Sequence, residues 1–194
     1  MKEIRIHARA GQGAITTARI LAMAAFEQGR YALAFPHFGA ERMGAPMNAF
    51  VRLDDSKVQL RSRVHAPDYI LVVDPSLAAS SDFGVFDGLK ADGLAIVNYA
   101  GDLAELAGRT AAKIVTVPAS EISLEILGQD RANVPLLGAF AAATGEVKIE
   151  SLEKAIVQNF GEGKVATKNV EAVRRAYDLV LRTEGSGLSI ANHS

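Results

Sequence analysis

Two short stretches hold the residues whose types and spacing could do chemistry. Arg9-Ala10-Gly11-Gln12-Gly13 separates an alternating apolar run from a helical one. The stretch AFPHFGAERMGAPMNAF, residues 34–50, sets two prolines, two glycines, a histidine and the adjacent Glu41-Arg42 pair between apolar runs. In the first stretch, glycines let backbone N–H groups approach an anion, and a helix N-terminus adds a favourable partial charge. The pattern suggests a phosphate cradle at Gly11, Gln12 and Gly13. It does not complete the dinucleotide fingerprint: the third small position falls on Thr16, and AFPHF stands where a ribose-binding acid is expected. A tight strand-to-helix turn that merely allows close packing explains the same glycines. In the second stretch, Pro36 and Pro46 fix backbone angles while Gly39 and Gly44 permit unusual ones. Such a loop is held, and it presents Glu41 and Arg42 to a partner or ligand in a defined geometry. The plainer reading is a surface loop with a solvated ion pair.

The rest of the composition narrows the chemistry. There is no cysteine, so the chain has no disulfide, no thiolate zinc site and no cysteine-ligated iron–sulfur cluster of its own. His7, His37, His65 and His193 are scattered without metal-ligand spacing. No metal site and no catalytic residue is expected. With 21 basic and 22 acidic residues the net charge is −1, so nothing favours nucleic acid or an anionic membrane surface. No apolar run reaches the roughly 18 residues of a membrane span, and Lys2, Glu3, Arg5 and Arg9 interrupt any signal-peptide pattern. A cytoplasmic location is the expectation.

The elements that must position these residues alternate in kind. Residues 2–8 and 31–35 read as strands, with a helix from about Ile15 to Gln28 between them and Gly29 as its stop. Residues 47–55 alternate again, and Asp54-Asp55-Ser56 predicts a hairpin with a short strand at 57–60. Residues 68–75, 93–99 and 113–118 are nearly continuous apolar runs, as for strands covered on both faces, with helices expected around 86–91 and 102–112. One or two helices lie between Glu121 and Thr144, broken near Asn133-Val134-Pro135. Leu152, Ile156 and Phe160, then Val170, Val173, Tyr177 and Val180, mark two amphipathic helices. The expected fold is a three-layer α/β/α domain over residues 1–183, with a mixed, mainly parallel sheet, a helical C-terminal third and a polar tail at 184–194.

The order RAGQG…AFPHFGAERMGAP…FVRL resembles the gamma subunit of the 2-oxoacid:acceptor oxidoreductases, the pyruvate:ferredoxin oxidoreductase family. That family carries a Gly-x-Gly-Gln-Gly turn after the first strand. A Pro-x-Phe/Tyr-Gly-x-Glu-Arg-Arg-Gly-x-Pro loop follows it. Gly11, Gln12 and Gly13 fall on the first motif; Phe38, Gly39, Glu41, Arg42, Gly44 and Pro46 fall on the second. Asn133 with Leu137-Gly138-Ala139, and Lys168-Asn169 with Ala172, match later family segments, so the resemblance spans residues 4–180. Arg9-Ala10 stands where glycines are usual and Met43 where a second arginine is usual, which tightens any cradle and removes one contact.

The resemblance implies a multi-subunit enzyme that oxidatively decarboxylates a 2-oxoacid, in anaerobic metabolism. Thiamine diphosphate, Mg2+ and [4Fe–4S] clusters would lie in alpha, beta and ferredoxin-like delta subunits. Coenzyme A would be the acyl acceptor, and ferredoxin or another carrier would take the electrons. This chain would hold no redox cofactor and be inactive alone. Phe38, Gly39, Glu41, Arg42, Gly44, Pro46 and Asn133 would form an interface or site rim, with Gly11, Gln12 and Gly13 as cofactor-binding positions. Two alternatives stay open: a stand-alone nucleotide-binding or regulatory domain, and the beta subunit of an indolepyruvate oxidoreductase.

Overall fold

The computed structural model describes residues 1–37 and 44–185. The expectations placed on Phe38, Gly39, Glu41 and Arg42, and on the tail beyond residue 185, lie outside the described residues. Six strands form one mixed sheet: β1 (Lys2–Arg9), β2 (Tyr31–His37), β3 (Pro46–Asp54), β4 (Tyr69–Val72), β5 (Leu94–Asn98) and β6 (Lys113–Val117). Their spatial order is β2-β3-β1-β4-β5-β6. β1, β4, β5 and β6 run parallel, and β3 pairs antiparallel with both β1 and β2. The helices are α1 (Ala14–Glu27), α2 (Pro75–Ala79), α3 (Ala119–Leu127), α4 (Pro135–Thr144), α5 (Ile149–Phe160) and α6 (Lys164–Gly185). The architecture is the expected α/β arrangement with a helical C-terminal part. α6 continues to Gly185, two residues into the stretch assigned to the tail.

The strand period decides which side chains meet which layer. In β1, Ile4, Ile6 and Ala8 enter the main core with Leu71, Ile96 and Val117, against Leu21, Phe140, Leu152 and Val173 from the large helices. On the opposite face Ile70, Val72, Ala95 and Val97 pack under Leu77, Val85, Phe86 and Leu106, a thinner layer. The Leu-Gly-Ala segment has a packing role here. A Cβ on Gly138 would stand 2.1 Å from the Val173 carbonyl oxygen, so only glycine lets α4 cross α6 at backbone distance.

Three expectations fail for identifiable reasons. Residues 57–60 form no strand, because both edges of β3 are already taken by β1 and β2. The hairpin is instead β2–β3, paired from Tyr31–Asp54 to His37–Asn48, and the motif-bearing loop is its connection. The segment after β3 is held by Arg52, 1% exposed, which donates to the carbonyls of Leu60 (2.7 Å) and Ser62 (2.8 Å) and pairs with Glu3 at 2.7 Å. Residues 86–91 form turns rather than a helix, since Gly84 and Gly88, both at positive φ, and Gly93 break the run. What helix there is comes earlier, as α2 and a single 3-10 turn at Ser81–Phe83. Within 102–112 only Leu103–Leu106 forms a 3-10 turn, stopped short of Gly108.

Candidate functional site: a cleft at the glycine turn

β1 ends at Arg9, and the chain must reverse into α1 within four residues. Gly11 at φ +97° and Gly13 at φ +85° make that possible, since other residues resist left-handed backbone. Gly13 serves as the N-cap of α1, and no side chain caps the helix. The first-turn amides are therefore without the intrahelical partners that later ones have.

The polar side chains of the turn are bound inward. The Gln12 carbonyl oxygen accepts from the Arg9 backbone N–H at 2.7 Å, and its amide nitrogen donates to Asp74 at 2.6 Å. Asp74 also caps α2 through the Ser76 N–H at 2.9 Å and lies 3.4 Å from Arg9 Nε. Burial pushes the Asp74 carboxyl up, but hydrogen bonds from Ser76 and Gln12 and the Arg9 charge outweigh it and hold it below the usual carboxylate range. Gln12, expected to touch a cofactor, has both ends of its amide engaged within the chain.

The two sequence motifs are physically joined. Ala10 N–H donates to the Ala45 carbonyl at 2.9 Å, and Arg9 Nη1 donates to the Gly44 carbonyl at 3.1 Å. Arg9 also donates to Ser76 Oγ at 2.9 Å and sits over the Phe83 ring at 5.4 Å. The trailing end of the β2–β3 loop is thus fastened to the glycine turn. Gly44, at φ +83°, and the exposed Pro46 at the start of β3 belong to this fastening.

Beside the turn opens a cleft of about 680 Å3 beyond the carboxyl end of β1. Asn133, expected at an interface or site rim, lies in its wall just before α4, 5% exposed and against Gly13. Its side chain has no hydrogen-bond partner among the described residues. Lys168 and Asn169, family-matching positions, also line it. The Lys168 ammonium donates to the Ile126 carbonyl at 2.7 Å, and Asn169 donates back to Val165 at 2.8 Å. Arg131 and Lys164 complete a lining that has three cations and no carboxylate. A ligand crevice at the carboxyl ends of parallel strands is the general rule for open α/β sheets. What this one suits is an anion.

The sequence motifs name Gly11, Gln12, Gly13 and Asn133 separately and give no reason to single out Arg131 or Lys164. A signal for Lys164 existed: with Lys168 it is spaced four apart at the start of a helical period, which places both on one face.

Residues 3–179 match the sequence profile of the pyruvate ferredoxin/flavodoxin oxidoreductase family. The chain belongs to this family. The PorC subunit of pyruvate synthase from Methanothermobacter thermautotrophicus is 51% identical over 178 residues, covering 92% of this chain and 95% of that one. The common gamma subunit of the pyruvate/ketoisovalerate oxidoreductases of Thermococcus litoralis is 47% identical over 181 residues, covering 92% and 96%. The crystal structure of pyruvate oxidoreductase subunit PORC from Thermotoga maritima superposes with a TM-score of 0.81 at 39% identity, covering 91% and 95%. The chain is a gamma-type subunit of this oxidoreductase family, matched along nearly its whole length. Among its described residues no helix is long and apolar enough to cross a membrane.

Proposed function

We propose that the chain completes a multi-subunit, thiamine diphosphate-dependent 2-oxoacid:acceptor oxidoreductase in the cytoplasm. The assembly would decarboxylate pyruvate or a related 2-oxoacid, transfer the acyl group to coenzyme A and pass electrons to ferredoxin or a similar carrier. Thiamine diphosphate with Mg2+ would supply the carbanion chemistry from alpha and beta subunits, and [4Fe–4S] clusters in the beta or a ferredoxin-like delta subunit would carry the electrons.

This chain's part is positional. The observation that carries the reading is the fastening of the β2–β3 loop to the glycine turn through Arg9, Ala10 and Ala45. That fastening sets Gly44 and Ala45 at a fixed place relative to the cleft. The turn of Gly11, Gln12 and Gly13 borders the route by which coenzyme A enters. The Gln12 amide keeps the turn's shape, while the backbone of Gly11 and Gly13 faces incoming phosphate. By itself the chain would be inactive and colourless.

The test is to purify the native complex with and without this subunit and follow 2-oxoacid- and coenzyme A-dependent reduction of a viologen dye. The expected result is that activity returns only when this chain is added back. A complex that keeps full coenzyme A-dependent activity without it, or a chain that elutes alone from native extract, would overturn the reading.

A further inference from the structure

β2 is the last strand of the sheet: β3 takes one of its edges, and no strand among the described residues takes the other. An open edge is a template for another chain, and proteins ordinarily blunt it with lysines or other charges. β2, Tyr-Ala-Leu-Ala-Phe-Pro-His, has no lysine, arginine or carboxylate along its length. Pro36 guards only the end at the loop.

Beside this edge α1, packed on β2, leaves one stripe uncovered. Ile15, Arg19, Ala22 and Phe26 recur at helical spacing on the face opposite the buried Thr17, Leu21 and Ala24. Phe26 is 72% exposed and Ile15 45%. Ala22, Met23 and Phe26 form, with Ala34 of β2, a groove of about 260 Å3 that Arg19 and Glu27 also line. These two charges stand about 12 Å apart along the helix axis. Arg19 has no ion pair among the described residues, and Glu27 accepts from Gln158 Nε2 at 2.7 Å.

The patch is complementary to itself. Antiparallel pairing of two β2 edges about a two-fold axis normal to the sheet puts both α1 helices on one face of the joined sheet, running in opposite directions. With the axis near Ala22 and Met23, each Arg19 comes opposite Phe26 and Glu27 of the second copy. The cation left unpaired in one chain thus meets a carboxylate and an aromatic ring of the other, twice. We propose that this face joins two copies of the chain, β2 to β2 in a continuous sheet and α1 to α1 through Ala22 and Phe26. A strand from a different protein would fill the edge equally well, but it would give no reason for the opposed order of Arg19 and Glu27. The inference is independent of the cleft and of the reaction.

Because the chain has no cysteine, a single introduced thiol reports the contact cleanly. Ala22→Cys, close to the axis, should give a disulfide-linked pair of this chain when the native complex is mildly oxidised. Leu124→Cys, on α3 and 52% exposed in the wild type, should not. In sedimentation equilibrium the full chain should dimerise, and Arg19→Glu should weaken the dimer Kd about tenfold, since a repulsion replaces an attraction twice about the axis. Arg19→Glu combined with Glu27→Arg should recover the wild-type Kd, because the exchange restores both pairs. A disulfide from Ala22→Cys to a different subunit would overturn the proposal in favour of a foreign partner. A full chain that stays monomeric, or a dimer that Arg19→Glu does not weaken or the exchange does not rescue, would overturn it outright.

Discussion

Gly13 and Asn133 are fitted to each other: a Cβ on Gly13 would lie 2.7 Å from Asn133 Nδ2 and 3.0 Å from its Cγ, across 120 residues of sequence. Gly13 therefore answers two demands, a left-handed φ of +85° and room for the amide that walls the cleft. Gly13→Ala should cost roughly 2–4 kcal/mol, backbone strain plus overpacking. Gly11→Ala, with φ +97° but open space around it, should cost about 1 kcal/mol. Urea unfolding of both variants tests the order, and adding Asn133→Ala to Gly13→Ala should recover the packing share but not the strain. Equal costs for the two glycines would remove the fitted pair.

Arg9, the last residue of β1, links Gly44, Ser76, Asp74 and the Phe83 ring. Arg9→Ala should cost about 1 kcal/mol of stability, as a partly exposed ion pair does. Its larger effect should be on assembly, because the motif loop loses one of its fastenings to the glycine turn. Co-elution of the variant with the other subunits is the measurement, and undiminished association would place the loop's geometry outside Arg9's control.

His7 predicts a pH dependence. It is 6% exposed, accepts a hydrogen bond from Arg5 Nε at 2.9 Å and is driven down to about 3, first by burial and then by the Arg5 charge. Arg5 is held in turn by the carbonyls of Val85 and Asp87. The folded chain keeps His7 neutral while the unfolded chain protonates it below its ordinary value near 6.5. Stability is therefore fully present above that value and falls with acid toward pH 3, by up to about 1.4 kcal/mol per pH unit. Unfolding curves between pH 7 and 4 should show this slope, and His7→Gln should flatten it.

At the end of the sheet away from the cleft, Glu146 gathers a separate network. It accepts from Tyr69 Oη at 2.8 Å and from Arg30 Nη1 at 2.9 Å, tying β4, the α1–β2 turn and the α4–α5 turn together. Burial, followed by the Glu146 hydrogen bond and charge, raises the Tyr69 phenol well above its usual range. Glu146→Ala should destabilise by roughly 1.5–3 kcal/mol, the scale of hydrogen bonds to a charged group. Urea unfolding measures the loss, and coenzyme A-dependent viologen reduction by the assembled complex should be untouched. A parallel loss of that activity would mean the two ends of the sheet are coupled.

The sequence by itself determined the elements whose stability is local and periodic. Ile4, Ile6 and Ala8 alternating in β1, Val170, Val173, Tyr177 and Val180 repeating in α6, and Gly29 closing α1 all read correctly because strand and helix periods are properties of neighbours in the chain. The ordered motifs around Gly11–Gly13 and Gly39–Pro46 sufficed to place the family. Tertiary structure alone decided pairing and convergence. Asp54-Asp55-Ser56 carries a local turn signal, yet β3 found its partners in β1 and β2, and with both of its edges paired it offers none to 57–60. The cleft is likewise non-local. Gly13, Arg131, Asn133 and Lys164 carry no mutual spacing in sequence, and they meet only because three helices packed on one sheet begin at the same point. Helix packing is set by whole apolar faces, such as the Gly138–Val173 crossing, and side-chain order along the chain does not encode where those faces bring distant charges.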